Sequence, residues 1–213
     1  MTVAGEDVWA PLTLASQSPQ RAAILSQLGV AFHAIAPHVE ERADGAPERL
    51  AVENARRKAD AVEGTLVLGV DTIVAVGGRP YGKPRDGDEA ALVLGLLSGR
   101  EHEVWSGIAL RSAGATEVRS ARTAVRFRRL SAAEVRWYID SEEWLGRAGG
   151  YAIQGRGAAL VEAIEGDLWN AVGLPVAELL TLAPELIVGV GQSDHRGAIP
   201  RSVSTSRSSS SAV

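Results

Sequence analysis

The sequence predicts an α/β fold, a mixed twisted sheet flanked by helices. Strand-like and helix-like runs alternate along most of the chain, Leu66–Val76 is apolar enough to be buried on both faces, and the runs on either side of Ser112–Ala115 read as an antiparallel hairpin. The alternation of strand and helix favours an α/β fold around a mixed sheet. At 213 residues the chain can bury a core for one such domain, or for two small ones that share a cleft.

The elements follow in order. Leu12–Ser16 alternates and ends in small polar residues, as a short strand does. A helix comes next: Ser18 suits the N-cap, Pro19 the first helical position, and Ile24, Leu25 and Leu28 share one face before Gly29 ends it. VAFHAIAP reads as a second strand. Pro47–Gly64 is an amphipathic helix with Leu50, Ala55, Ala59 and Val62 toward the core and a mostly charged opposite side. In Leu66–Val76, Asp71 interrupts an apolar strand, and a charge there is costly unless it has a partner or a task. A glycine-rich turn leads to a helix over DGDEAALVLGLLSG, ended by Gly99, and then to the hairpin EVWSGIALRS and TEVRSARTAVRFRRL. SAAEVRWYIDSEEWL is a Ser-capped helix, Gly146–Gly157 a glycine-rich loop, GAALVEAIEG a strand and GLPVAELLTLAPEL the last helix. The organisation expected is an N-terminal extension over residues 1–10, one folded domain over 11–192, and a Ser- and Arg-rich disordered tail over 193–213.

Composition narrows the chemistry. The chain has no cysteine, which excludes disulfides, thiolate zinc sites, iron–sulfur clusters and a Cys nucleophile. MTVAGEDVWAPLTLAS lacks a basic segment followed by an apolar one, and no run approaches the ~18 apolar residues of a membrane span. A cytoplasmic location without a membrane partner is expected. The formal net charge is −4, from 22 basic and 26 acidic residues, so no broad positive field is available for a nucleic-acid partner. Because the tail holds Arg196, Arg201 and Arg207 against Asp194, the remainder is more acidic still. Such a chain binds a polyanion through a few placed cations, aided by a divalent metal.

Four segments could carry chemistry. In SQSPQRAAIL a helix N-terminus and Arg21 would make a small anion site, although an ordinary capped helix accounts for the segment taken alone. Glu40 and Glu41 with Asp71 could bind Mg²⁺ or supply a general base; Glu40 and Glu41 alone would suit a solvated loop, whereas Asp71 resists a structural account. GGRPYGKP has the Gly-x-x-x-x-Gly-Lys spacing of a P-loop, but Pro84 stands where the hydroxyl should be and Pro80 removes an N–H from the cradle. Lys83 survives as a point-charge phosphate contact. Gln154, among flexible glycines, could read a base edge with its paired donor and acceptor. His33, His38, His102 and His195 show no metal-ligand spacing.

LASQSPQRAAILSQLGV resembles the LAS-x-SPRR-x-x-LL-x-x-LG opening of the Maf nucleotide pyrophosphatases. PHVEE, ENARRKADAV, LGVDTIVAVGGRPYGKP, LSGREHEVWSGIAL, GRAGGYAIQGRGAALVEAIEG and NAVGLPVAEL follow in family order, from about Leu12 to Leu186. The resemblance implies a sheet bent around a deep central cleft, like that of inosine triphosphatases, and cleavage of nucleoside triphosphates to monophosphate and pyrophosphate with Mg²⁺ or Mn²⁺. It implies that Asp71 is the proton acceptor and that Ser16, Ser18, Arg21, Glu41, Lys58 and Lys83 line the phosphate and metal region, with metal on Glu41 and Asp71. Gln20, Thr72 and Gln154 fall where the family chooses its base. Thr72 and Gln154 match the dTTP/UTP class, none matches the 7-methyl-GTP class, and Gln20 departs from both by replacing an Arg, which predicts weaker or broader selectivity. Trp144 and Arg147 depart from the commoner Pro and Lys of that segment.

The expected function is a housecleaning pyrophosphatase acting on surplus or modified pyrimidine nucleotides, with a homodimer as a candidate assembly. The alternatives are a broad or 7-methyl-GTP pyrophosphatase, and a non-catalytic regulator of septum formation and cell division. Retention of Asp71, Lys83 and Arg21 argues against a purely structural role.

Overall fold

A computed structural model describes residues 11–188. The N-terminal extension, the end of the expected domain and the Ser-rich tail lie outside the described residues. Seven strands form one mixed sheet: β1 Leu12–Ala15, β2 Phe32–Ile35, β3 Leu66–Val76, β4 Arg79–Tyr81, β5 Glu101–Ser112, β6 Ala115–Phe127 and β7 Val161–Glu165. Their order is β2-β1-β3-β5-β6-β7, with β4 paired to β3; β1 is parallel to β2 and β3, and the remaining pairs are antiparallel. The helices are α1 Pro19–Gln27, α2 Pro47–Asp60, α3 Gly87–Leu97, α4 Ala132–Ile139, α5 Leu168–Val172, α6 Val176–Leu182 and α7 Glu185–Val188. No helix among the described residues is long and apolar enough to cross a membrane. The mixed α/β sheet expected from the sequence is present and remains open.

Some boundaries differ from expectation, each for a local reason. GGRPYGKP begins as a hairpin. Gly77 and Gly78 both have positive φ, the requirement of a two-residue primed turn, and β4 runs back along β3 with Pro80 opposite Ala75, where an edge strand tolerates a missing N–H. The expected strand GAALVEAIEG starts only at Val161, because Arg156–Leu160 is a 3-10 turn in which Gly157 lies against the Ala152 carbonyl. The expected last helix divides around Ala183, since Pro184 cannot continue it. Ser18 is the α1 N-cap residue, but its side chain makes no capping bond. Ser131, in contrast, caps α4 in a full capping box with Glu134.

The core has separate parts on the two faces of the sheet. On one, Leu12, Leu14, Leu68, Val70 and Ile108 pack with Ile24 and Leu25 of α1, Leu174 between α5 and α6, and Leu179 of α6. On the other, Ala55 and Ala59 of α2 and Val62 just beyond it meet the small residues Ala15, Val67 and Ala109, while Leu50 and Ala51 nearer its start pack with Ile73 and Trp105. Gly69 and Gly107 are the reason α2 comes so close. A Cβ on Gly69 would overlap the Ala55 carbonyl, and one on Gly107 would overlap Ala51. A third cluster, around α3, Phe127, Tyr138, Trp144 and Tyr151, fills the opposite end.

His102 is buried in that third cluster. Its Nε2 lies 2.8 Å from the Tyr151 hydroxyl, and its ring packs edge-on against Phe127. Burial pulls its pKa from 6.5 to about 4. The unfolded chain therefore takes up a proton that the folded chain refuses. The associated stability is present above about pH 6.5 and is lost as pH falls toward 4, up to about 3 kcal/mol.

Two expected outcomes follow from this packing. Gly107→Ala lowers the free energy of unfolding by about 3 kcal/mol by overpacking α2, whereas Gly95→Ala, where an added Cβ meets nothing in an α3 interior, raises it by about 1 kcal/mol. Urea denaturation checks both, and an undiminished Gly107→Ala protein would refute the close seating of α2. Thermal unfolding followed from pH 7 down to 4.5 should show a steep loss of stability that His102→Gln flattens; an identical slope in the variant would remove His102 as its source.

Candidate active site

The site forms where the edge of β3 is left open. The β5 strand pairs with β3 from Leu66 through Ala75, so β1 and β4 must share the other edge. On that edge β1 pairs with Val67–Gly69 and β4 with Val74–Val76, and neither pairs with residues 70–73. Asp71 and Thr72 sit in this gap, at the carboxyl end of β1, which is a usual location for ligand sites in open α/β sheets. Being adjacent in a strand, they point to opposite faces.

Asp71 faces α2. Lys58 and Asn54 lie one turn apart on the buried stripe of that helix, and both reach the carboxylate: Lys58 Nζ is 2.6 Å from Asp71 Oδ1 and Asn54 Nδ2 donates to Oδ2 at 3.0 Å. Lys58 Nζ is also 2.6 Å from Glu41 Oε1, and Lys83 Nζ approaches the same oxygen at 3.6 Å. Lys58 is 5% exposed, so its ammonium is a buried bridge between two carboxylates. Burial pushes the Glu41 carboxyl upward, but Lys58, Lys83 and Arg21 together outweigh it and hold the group below the usual carboxylate range. Glu40 is exposed and does not join this cluster.

Thr72 faces α1. Arg21 is buried in the first turn of that helix, and burial presses its guanidinium below its ordinary value against the opposing pull of Asp71 and Glu41. It stays charged. Its fork donates to Ser16 Oγ at 2.9 Å, to Thr72 Oγ1 at 3.2 Å and to the Gly173 carbonyl at 2.9 Å. Thr72 Oγ1 is 2.9 Å from Ser106 Oγ on the opposite strand. At the head of α1, the Ser18 N–H donates to Ser16 Oγ and the Ser18 hydroxyl to Gln20 Oε1, both at 3.1 Å.

These groups line one cavity of about 440 Å³. Ser16, Ser18, Gln20, Arg21, Glu41, Lys58, Asp71, Thr72, Lys83 and Gln154 all border it, so of the candidates named from the sequence motifs Glu40 alone lies outside it. Arg147 and Tyr151 border it too. The Lys83 turn is tied to the far wall by the Gly149 N–H, which donates to the Gly82 carbonyl at 3.0 Å. Gln154 is exposed, and among the described residues its amide makes no hydrogen bond. The wall thus holds Arg21, Lys58, Lys83 and Arg147 against Glu41 and Asp71, an electropositive cavity in a chain of net charge −4. That excess suits a polyanion.

Among the described residues no three His, Cys, Asp or Glu side chains are grouped to cage a metal ion. Glu41 and Asp71 meet at the Lys58 ammonium and both border the cavity, and two hard oxygen donors of this kind suit a Mg²⁺ that takes one or two protein carboxylates and fills its sphere with water and substrate phosphate. Three contributors escaped the sequence reading. Asn54 could have been found as a polar residue on the apolar stripe of α2, one turn from Lys58; Ser106 gave only a weak signal inside an alternating strand; and the Gly173 carbonyl, a backbone group, gave none.

A family model described as Maf-like protein matches residues 11–186. The chain is similar to several proteins named dTTP/UTP pyrophosphatase. One from Symbiobacterium thermophilum is 45% identical over 171 residues, covering 78% of this chain and 88% of that protein. One from Thermus thermophilus is 46% identical over 175 residues, covering 81% and 92%. One from an Anaeromyxobacter species is 47% identical over 178 residues, covering 80% and 87%.

The burial difference between the two lysines is directly measurable. Lys58→Met strands two carboxylates beside each other and should cost about 3 kcal/mol or more, whereas Lys83→Met, with a side chain 55% exposed, should cost under about 1 kcal/mol. Calorimetric unfolding of both variants tests this, and equal losses would contradict the buried bridge.

Proposed function

The chain belongs to the Maf family, and from that premise we propose that it hydrolyses nucleoside triphosphates to nucleoside monophosphate and pyrophosphate, favouring dTTP and UTP. The observation that carries this reading is the cavity whose wall bears four cations together with a carboxylate held at the open edge of the sheet. A triphosphate needs the cations, and water attacking its α-phosphorus needs the carboxylate.

Asp71 is the proposed proton acceptor. Its two oxygens accept from Lys58 and Asn54, which uses two of about four lone-pair directions and leaves room to accept from water. The carboxylate is thereby fixed in orientation before substrate arrives. Arg21, immobilised by three acceptors, and Lys83, on its proline-stiffened turn, are placed to meet the charge that develops on the departing pyrophosphate. Glu41 and Asp71 would hold the divalent cation, Mg²⁺ or Mn²⁺, which supplies further neutralisation of phosphate charge when bound. Lys58 keeps those two carboxylates together and positions them for the cation.

For the base, Gln154 offers an unengaged amide with both donor and acceptor, the complement of a pyrimidine edge. Thr72 contributes through Arg21 and Ser106, which tie its hydroxyl into the phosphate side of the cavity. Gln20 favours a second reading, a pyrophosphatase of broader base selectivity. It is neutral, and its carbonyl oxygen is turned to the Ser18 hydroxyl.

Purified protein with Mg²⁺ or Mn²⁺ should release pyrophosphate, not phosphate, from dTTP and UTP, and Asp71→Asn should remove nearly all of that activity. Comparison of kcat/KM across dTTP, UTP, CTP, 7-methyl-GTP and 5-methyl-UTP separates the two readings. Binding of nucleotide without turnover would defeat both.

A further inference from the structure

We propose that Asn54 is a positioning residue that sets Glu41 and Asp71 relative to each other through one side-chain amide. This rests on the pyrophosphatase reading of the cavity and adds to it a part that touches neither substrate nor metal.

Asn54 is 2% exposed on the buried face of α2. Its Oδ1 accepts from the Arg42 N–H at 2.8 Å, and its Nδ2 donates both to the Arg42 carbonyl and to Asp71 Oδ2 at 3.0 Å. Three of the four hydrogen-bonding capacities of the amide are therefore used. Gripping the N–H and C=O of one residue imitates a strand partner. It fixes Arg42 on both sides, and with it the direction in which Glu41, the preceding residue, leaves the chain.

Little else holds that stretch. Residues 36–45 have no helix or strand, and among the described residues they make no backbone–backbone hydrogen bond. Glu41 is tied down by its own ion pairs to Lys58 and Lys83, which hold the carboxylate and leave the main chain free. The backbone tether comes from Asn54, and the same nitrogen grips Asp71. The two carboxylates expected to meet the divalent cation are thus referred to one rigid amide on α2.

Asn54→Leu keeps the approximate shape and removes every one of these bonds. In nucleotide-free full-length protein, hydrogen exchange at the Arg42 amide should accelerate by about tenfold or more, while β3 amides keep their protection. With dTTP as substrate, the Mg²⁺ concentration for half-maximal pyrophosphate release should rise about tenfold and kcat should fall about tenfold, with KM at saturating Mg²⁺ nearly unchanged. A variant that loses kcat without moving the Mg²⁺ half-saturation point has merely lost folded protein, and that result overturns the proposal. Unchanged Arg42 exchange overturns it as well. If wild-type protein releases no pyrophosphate, the functional reading fails while Arg42 exchange still decides the tether. Should Asn54→Leu not fold, Asn54→Asp retains the acceptor for Arg42 and loses the donors; it should keep Arg42 protected while raising the Mg²⁺ requirement, and an unaltered requirement would count against Asn54.

Discussion

The close seating of α2 on the glycines of β3 and β5 is the contact on which the site depends. At Gly69 and Gly107 no sheet side chain separates helix from strand, and Ala51, Ala55 and Ala59 supply a helix surface flat enough to use the space. Across the sheet Gly107 is the partner of Asp71, so the acid lies beside the point of closest approach. At this separation Asn54 and Lys58 reach the carboxylate with ordinary hydrogen-bond lengths. A bulkier interface would raise the helix and leave Asp71 as an unpaired buried charge, which no small domain tolerates well.

From the other face the approach is made by α1. Its Arg21 is locked between Ser16, Thr72 and Gly173, so the cation is fixed by groups from the residue after β1, from β3 and from the turn after α5. Because successive residues of a strand point to opposite sides, Asp71 and Thr72 couple one helix on each face of the same sheet. The gap between β1 and β4 on the β3 edge is what lets both sets of groups open into one cavity. A continuous edge strand would have covered Val70–Ile73 and separated them.

Much of this was legible in the sequence, for reasons that differ between residues. Asp71 stood out because an acid inside an apolar run has to be explained, and the limits of β3 followed from the same run. Gly69 and Gly107, in strand interiors, carried the usual sign of close backbone approach, but a glycine does not say which element approaches. Asn54 was obscured because α2 has its apolar stripe interrupted twice, and an amide among charged helix residues looks like surface. β4 and α5 were too short for any periodicity to show, at Arg79–Tyr81 and Leu168–Val172. The Gly173 carbonyl belongs to the backbone, and its role in holding Arg21 exists only in three dimensions.

The P-loop resemblance of GGRPYGKP is resolved by what its glycines do. In a phosphate-binding loop they let successive N–H groups face an anion, whereas here Gly77 and Gly78 reverse the chain into β4. Gly82 gives its carbonyl to Gly149, which carries the turn onto the far wall, and Pro84 packs against Gly150. Lys83 is held between these anchors and faces Glu41 across the cavity at 3.6 Å. The segment therefore links the wall that bears Gln154 to the cluster that bears Asp71 through a single, largely solvated ion pair. A triphosphate entering between Lys83 and Glu41 would exchange that weak contact for a stronger one. The cost of opening the pair is small because so little of it is buried.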